Sequence, residues 1–119
     1  MFEITKKFDF AAAHRLDHLE KGHPCTTIHG HNYEVIVCLR AKILDKDYMV
    51  LDYHQLKPVK EWLDNEVDHK MLNDVLDFPA TAENMAQYFF KKFRDVLHID
   101  RIYSVTVKET PNTTATYYE

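Results

Sequence analysis

The chain opens on an alternation of side chains: Phe2, Ile4, Phe8 and Phe10 fall on one side of an extended segment, and Glu3, Thr5, Lys7 and Asp9 on the other. A period of two marks a half-buried strand, so a strand is expected from Phe2 to about Phe10, with Lys6 interrupting its apolar side. Three alanines follow, and His14 closes this first strand before a polar loop from Asp17 to Thr27 that carries Gly22, Pro24 and Cys25. The same period returns from about His29 to Arg40, where Tyr33, Val35, Val37 and Leu39 alternate with Glu34, Ile36, Cys38 and Arg40.

Beyond a charged, turn-like stretch from Leu44 to Tyr48 the period changes. Leu56, Val59, Trp62, Leu63 and Val67 have the spacing of one buried helical face, which predicts a helix from about Gln55 to Val67. Pro58 falls in its first turn, where proline is tolerated. Pro79 marks a break, Thr81 reads as an N-cap and Glu83 sits in the first turn, where negative charge is favoured. The second helix is expected to reach about Val96 and to bury Met85, Tyr88, Phe89, Phe93 and Val96. Arg101 to Glu109 reads as a third strand with Tyr103, Val105, Val107 and Glu109 on one face, and Pro111-Asn112 turns it into a fourth from Thr113 to about Tyr118. The order ββααββ is that of an α+β fold. No linker, repeat or low-complexity tract divides the 119 residues, so residues 1–119 are expected to form one domain.

Composition narrows the function classes. A net charge of -4 is too mild, and of the wrong sign, for a nucleic-acid surface. No apolar run has the length of a membrane span, and the alternating N-terminus is unlike a secretory signal. Two cysteines, Cys25 and Cys38, are too few for a disulfide framework, which points to a cytoplasmic protein with reduced thiols. Small molecules and protein partners remain. Histidine is the outlier: there are eight, and His14, His18, His23, His29 and His31 lie close together.

His29-Gly30-His31 sits at the start of a strand, so both imidazoles point to one face and can reach one metal ion. Taken alone, the pair is equally compatible with two surface histidines flanking a turn glycine. His14 supplies a third ligand if the loop returns the chain antiparallel, and three histidines with one open position describe a catalytic zinc site. Cys25, four residues before His29, is a base or nucleophile if a nearby cation lowers its pKa, and otherwise a small inert residue, as is expected of Cys38. Asp68-His69 forms a proton relay if the carboxylate orients the imidazole, or else a solvated helix C-terminus. Glu109 falls on the apolar side of its strand and needs either a ligand's N–H groups or a Lys or Arg partner. Residue chemistry alone therefore reaches a zinc-dependent lyase or hydrolase with a Cys or His base.

Five segments carry a resemblance. Phe10-Ala11-Ala12-Ala13-His14-Arg15-Leu16 and Cys25-Thr26-Thr27-Ile28-His29-Gly30-His31-Asn32-Tyr33 resemble the zinc and nucleophile segments of the 6-pyruvoyltetrahydropterin synthase superfamily. Val67-Asp68-His69-Lys70-Met71-Leu72-Asn73 is similar to its Asp-His-x-x-Leu-Asn segment, and Lys108-Glu109-Thr110 to its pterin-anchoring Glu-Thr. Pro79-Ala80-Thr81-Ala82-Glu83-Asn84 resembles its Pro-Thr-x-Glu-Asn helix start with one alanine inserted. Tyr48-Met49-Val50-Leu51-Asp52-Tyr53 departs from its Gly-Met-Val-x-Asp-Phe by lacking the glycine. The three residues between Cys25 and His29 are similar to the spacing in bacterial and archaeal 6-carboxytetrahydropterin synthases of queuosine biosynthesis; animal 6-pyruvoyl enzymes carry an insertion there.

The resemblance implies Zn2+ on His14, His29 and His31, Cys25 as the base, Asp68 and His69 returning protons, and Glu109 binding the pterin ring. Thr81 and Glu83 are implied to complete a pterin pocket, including that of a neighbouring subunit. The implied reaction turns 7,8-dihydroneopterin triphosphate into 6-carboxy-5,6,7,8-tetrahydropterin, acetaldehyde and triphosphate. The related alternatives are a 6-pyruvoyltetrahydropterin synthase, which only eliminates triphosphate, and a zinc-binding oligomer without turnover. The implied architecture is the tunnelling fold: a four-stranded antiparallel sheet with two helices on one face, assembled as a homotrimer or hexamer. Lys6, Arg15 and His54 are the candidate grips for the triphosphate.

Overall fold

The apolar file of Phe8 and Phe10 continues through Ala12 to His14, so the first strand, β1, spans Phe2–His14 in the computed structural model, which describes residues 1–119. The strand outlasts the expected end near Phe10 because the alanines, poor strand formers on their own, are held between two other strands. On one side lies β2 (His29–Ala41), antiparallel over its whole length, with Phe2 opposite Ala41 and His14 opposite His29. On the other lies β3 (Lys70–Met71), which pairs in parallel with Ala12 and Ala13. β4 (Ile102–Thr110) and β5 (Thr113–Tyr118) extend the sheet beyond β2 as an antiparallel hairpin.

The expected four-stranded antiparallel sheet is thus a five-stranded mixed sheet in the order β3-β1-β2-β4-β5. A two-residue strand has no periodicity of its own, and only its pairing to β1 reveals it. The helices also differ from expectation in number. α1 (Lys57–Glu66) and α3 (Ala82–Asp95) form as the three-and-four spacing predicts, and a single-turn helix, α2 (Leu72–Val75), lies between them. A 3-10 turn at Tyr53–Leu56 replaces the first turn expected of α1, with Asp52 accepting from the His54 N–H.

The core lies between one face of the sheet and the helices. Phe10 stacks on Tyr33 with ring centroids 4.7 Å apart and meets Phe89 edge-on at 5.9 Å; Phe89 in turn stacks on Phe93. Burying each such ring contributes about 2–3 kcal/mol. α3 buries Met85, Ala86, Phe89, Phe90 and Phe93, while Val96 is exposed, because Phe90 turns toward Tyr117 of β5 and shifts the buried stripe. Tyr103 also leaves its expected face. The pairing of β2 with β4 shifts register at Cys38/Leu39, and Tyr103 stacks on Tyr118 beneath the Arg40 guanidinium, away from the buried file of Val105 and Val107. No helix is long and apolar enough to cross a membrane.

Candidate metal centre and the clefts beside it

The β1–β2 register sets His14 opposite His29, and strand alternation puts His14, His29, His31 and Tyr33 on the helix-covered face. One ring nitrogen from each of the three histidines lies within 4.8 Å of the others. Their outer nitrogens decide the protonation. His14 Nδ1 lies 2.9 Å from the Ala80 carbonyl oxygen and His29 Nδ1 lies 2.7 Å from that of Thr27. A carbonyl oxygen only accepts, so both Nδ1 atoms carry the proton and donate, and both Nε2 atoms present lone pairs. Those Nε2 atoms are 3.0 Å apart. Two lone pairs at that distance repel unless a cation sits between them.

His31 completes the arrangement. Its Nε2 is buried and has no hydrogen-bond partner, although Glu109 Oε1 lies 3.5 Å away. Burial pushes the His14 and His31 imidazoles below their ordinary values, which favours the neutral form a metal requires. The residues fit Zn2+: three imidazoles converge, two have their outer nitrogens fixed by carbonyls, and one would otherwise be a costly buried orphan. Tyr33 forms the floor. Its ring is fully buried, its hydroxyl lies 3.5 Å from His14 Nε2, and burial raises its pKa so that the phenol stays neutral. Tyr33 belongs to the same alternating file as His29 and His31, and that His-x-His-x-Tyr pattern was the available signal for it.

The stretch Asp68 to Asn73 is laced to the free edge of β1. Asp68 Oδ1 accepts from Ala11 N–H at 2.9 Å, the His69 N–H donates to Ala11 O at 2.6 Å, and β3 pairs next. The Asn73 carboxamide then accepts from Arg15 N–H and donates to Arg15 O, both at 2.9 Å, acting as one more strand residue. Asp68 Oδ2 remains within 3.6 Å of His69 Nε2. His69 adopts φ 60°, a left-handed conformation that costs a non-glycine residue about 1–2 kcal/mol. It borders a cleft of about 620 Å³ that also takes in Ala11, Ala13, Gly30, His31 and Asn32.

On the imidazole side, Glu109 shares a cleft of about 500 Å³ with Thr81 and Glu83. The start of α3 and the end of β4, distant in sequence, are thus brought together, and the near partner of Glu109 is His31, not a Lys or Arg. Thr81 caps α3, its side chain accepting from Asn84 N–H. Cys25 lies in a 3-10 turn, Pro24–Thr26, whose N-cap is His23: Cys25 N–H donates to His23 Nδ1 at 3.1 Å. The Cys25 carbonyl accepts from Leu16 N–H at 2.8 Å, which ties the turn to the residues just past His14. Cys25 is half-buried, free, and outside the imidazole cluster, whereas Cys38 is buried in mid-strand.

The model of the family described as 6-pyruvoyl tetrahydropterin synthase matches residues 3–119. The chain belongs to that family. Among its relatives, the human 6-pyruvoyl tetrahydrobiopterin synthase is 32% identical, with 97% of this chain and 90% of the human one covered. A 6-carboxy-5,6,7,8-tetrahydropterin synthase from Synechocystis is 33% identical over 99% of this chain and 94% of its own. The solved 6-pyruvoyl tetrahydropterin synthase of Caenorhabditis elegans superposes with a TM-score of 0.87 at 32% identity, covering 99% of this chain and 95% of that one.

Two departures from the 6-pyruvoyl tetrahydropterin synthase pattern have structural answers. Tyr48, standing where the pattern has glycine, adopts a left-handed backbone at φ 63°. The turn is held by Asp45 Oδ1, which accepts from the N–H groups of Asp47 and Met49. The inserted Ala80 is the residue whose carbonyl meets His14. The candidate triphosphate grips do not gather at the imidazoles. Lys6 and His54 share a basic cleft with Lys7, Lys57 and Lys60, and eight residues of strand put Lys6 roughly 26 Å from His14. Arg15 pairs with Asp17 at 2.9 Å.

Proposed function

We propose that this member of the family is a zinc-dependent lyase of the 6-carboxy branch, acting on 7,8-dihydroneopterin triphosphate. With one water consumed, its products would be 6-carboxy-5,6,7,8-tetrahydropterin, acetaldehyde and triphosphate, a step of queuosine and 7-deazapurine biosynthesis. The observation that carries the reading is the set of three convergent imidazoles beside Glu109. The three-residue spacing from Cys25 to His29 supports the carboxy branch over the pyruvoyl one. The near-equal identity to a 6-pyruvoyl relative keeps elimination of triphosphate alone as the second reading. A zinc-binding oligomer without turnover would need only the histidines, not Cys25, Asp68, His69 and Glu109 as well.

His14, His29 and His31 would hold Zn2+ through their ring nitrogens, and the ion would supply a Lewis acid for the substrate's side-chain hydroxyls. Glu109 accepts hydrogen bonds from the amino and N–H edge of the pterin ring, with Thr81 and Glu83 bordering the ring. Cys25 Sγ is the base that takes a proton from the substrate side chain. Asp68 Oδ2 orients His69, which returns protons. His69 is exposed at the edge of β1, so the relay can serve a site shared between copies of the chain, in a homotrimer or hexamer. Two free thiols suit cytoplasmic work.

The test is an anaerobic incubation of the zinc-loaded protein with 7,8-dihydroneopterin triphosphate, assaying acetaldehyde and pterin together. Acetaldehyde with the 6-carboxy product is expected. A 6-pyruvoyl product without acetaldehyde establishes the second reading, and no turnover of any kind sinks both.

A further inference from the structure

His14 is oriented from a helix that supplies no metal ligand. The Asn84 carboxamide, on the first turn of α3, donates from Nδ2 to the Pro79 carbonyl oxygen at 2.9 Å. The same oxygen accepts from Thr81 N–H at 2.8 Å, closing a three-residue turn with Ala80 at its apex. Ala80 is buried, and its carbonyl accepts from His14 Nδ1 at 2.9 Å. Asn84 is itself fixed, since its backbone N–H donates to the Thr81 side chain.

From this chain of contacts we infer that Asn84 is a positioning residue for the metal centre. Its carboxamide pins the Pro79–Thr81 turn, the turn aims the Ala80 carbonyl at His14 Nδ1, and that carbonyl presents the His14 Nε2 lone pair to the cation. A neutral imidazole has two tautomers, and the partner of the outer nitrogen selects which nitrogen is left to bind metal. Loosening the turn lets His14 sample the tautomer that points a proton at the cation. Losing an outer-shell partner typically weakens metal binding 10–100-fold. Asn84 acts one bond further out, so an effect near the lower end, about tenfold, is expected.

The inference rests on the zinc reading, and the experiment separates the two. Zn2+ affinity is measured by chelator competition on the parent, Asn84→Asp and Asn84→Ala, with melts of the metal-free proteins and the His14 tautomer read by long-range 1H–15N correlation. Asn84→Asp is the sharper variant. It keeps the backbone N–H and adds a negative charge where the helix N-terminus welcomes one, but replaces the donor facing Pro79 with an acceptor. The expected result is about tenfold weaker zinc binding, a His14 signal moved away from the Nδ1–H form, and a melting temperature within a few degrees of the parent. Zinc affinity within twofold of the parent overturns the positioning role, as does a loss of affinity that tracks a lower melting temperature while the tautomer stays unchanged. A folded parent that binds no zinc overturns the metal reading and this inference with it.

Discussion

The two ends of the β1–β2 ladder both carry polar side chains on paired strands, and they treat them in opposite ways. At the Phe2–Ala41 end, Glu3 lies opposite Arg40 and the guanidinium Nε donates to Glu3 Oε1 at 2.7 Å. That hydrogen bond holds the Glu3 carboxyl below its ordinary range, and Arg40 also lies 3.7 Å over the Tyr103 ring. Each group has a partner and reaches solvent, and exposed pairs of this kind contribute little. At the His14–His29 end the polar atoms are buried and lone pairs are left over. A buried polar atom without a partner is destabilising, so a protein that retains one beside two facing imidazole lone pairs is built for a ligand that completes them. What separates a structural polar cluster from a functional one here is the unspent lone pair, not the number of charges.

Removing one of those lone pairs should break the contrast most strongly. His31→Ala is expected to weaken zinc binding more than about a hundredfold, beyond the usual effect of an outer-shell change. Cys25→Ala is expected to keep its zinc and lose about 10²–10⁴ in turnover, the range of a general base. Zinc content after dialysis, read beside product formation, distinguishes the two. A His31→Ala protein that holds one zinc per chain removes that ligand assignment, and a fully active Cys25→Ala protein removes the base.

The same end depends on the clamp along β1. Asn73→Ala deletes two 2.9 Å hydrogen bonds and leaves the N–H and C=O of Arg15 without their partner. The expected destabilisation is about 1–3 kcal/mol, seen as a lower denaturant midpoint at unchanged m-value. A change below about 0.5 kcal/mol would mean that water replaces the carboxamide and that β1 needs no clamp beyond β3.

How far each end was legible follows from the kind of interaction that makes it. Alternation located β1, β2 and β4, and three-and-four spacing located α1 and α3, because burial imposes those periods on sequence; the Pro111-Asn112 turn located β5. The His29–His31 pair was visible for the same reason, and Glu109 was recognisable as a carboxylate on an apolar file. The partners of β1's edge were not visible. Asp68, the two residues of β3 and Asn73 act through backbone groups of Ala11 to Arg15, and a side-chain bond to a distant backbone leaves no periodic trace. The Ala80 carbonyl was hidden likewise, since any residue would supply it. Tyr103 was misplaced by a register shift that a strict period of two does not contain.

The smallest expected effect comes from the loop beyond the Ala41 end of the ladder, and it is a gain. Tyr48 and His69 hold nearly the same left-handed backbone, φ 63° and φ 60°, but only His69 borders a cleft beside the site. Tyr48 is 85% exposed, so its ring has little packing to lose. Tyr48→Gly removes a conformational cost of about 1–2 kcal/mol and adds roughly 0.5–1 kcal/mol of chain entropy to the unfolded state. The net expectation is a stabilisation of about 0.5–1 kcal/mol, visible as a melting temperature a few degrees higher, with zinc affinity unchanged. A lower melting temperature would mean that the Asp45 turn depends on the Tyr48 side chain. An altered zinc affinity would mean that strain at this end is transmitted along the ladder to the imidazoles, and the two ends would then be one mechanical unit.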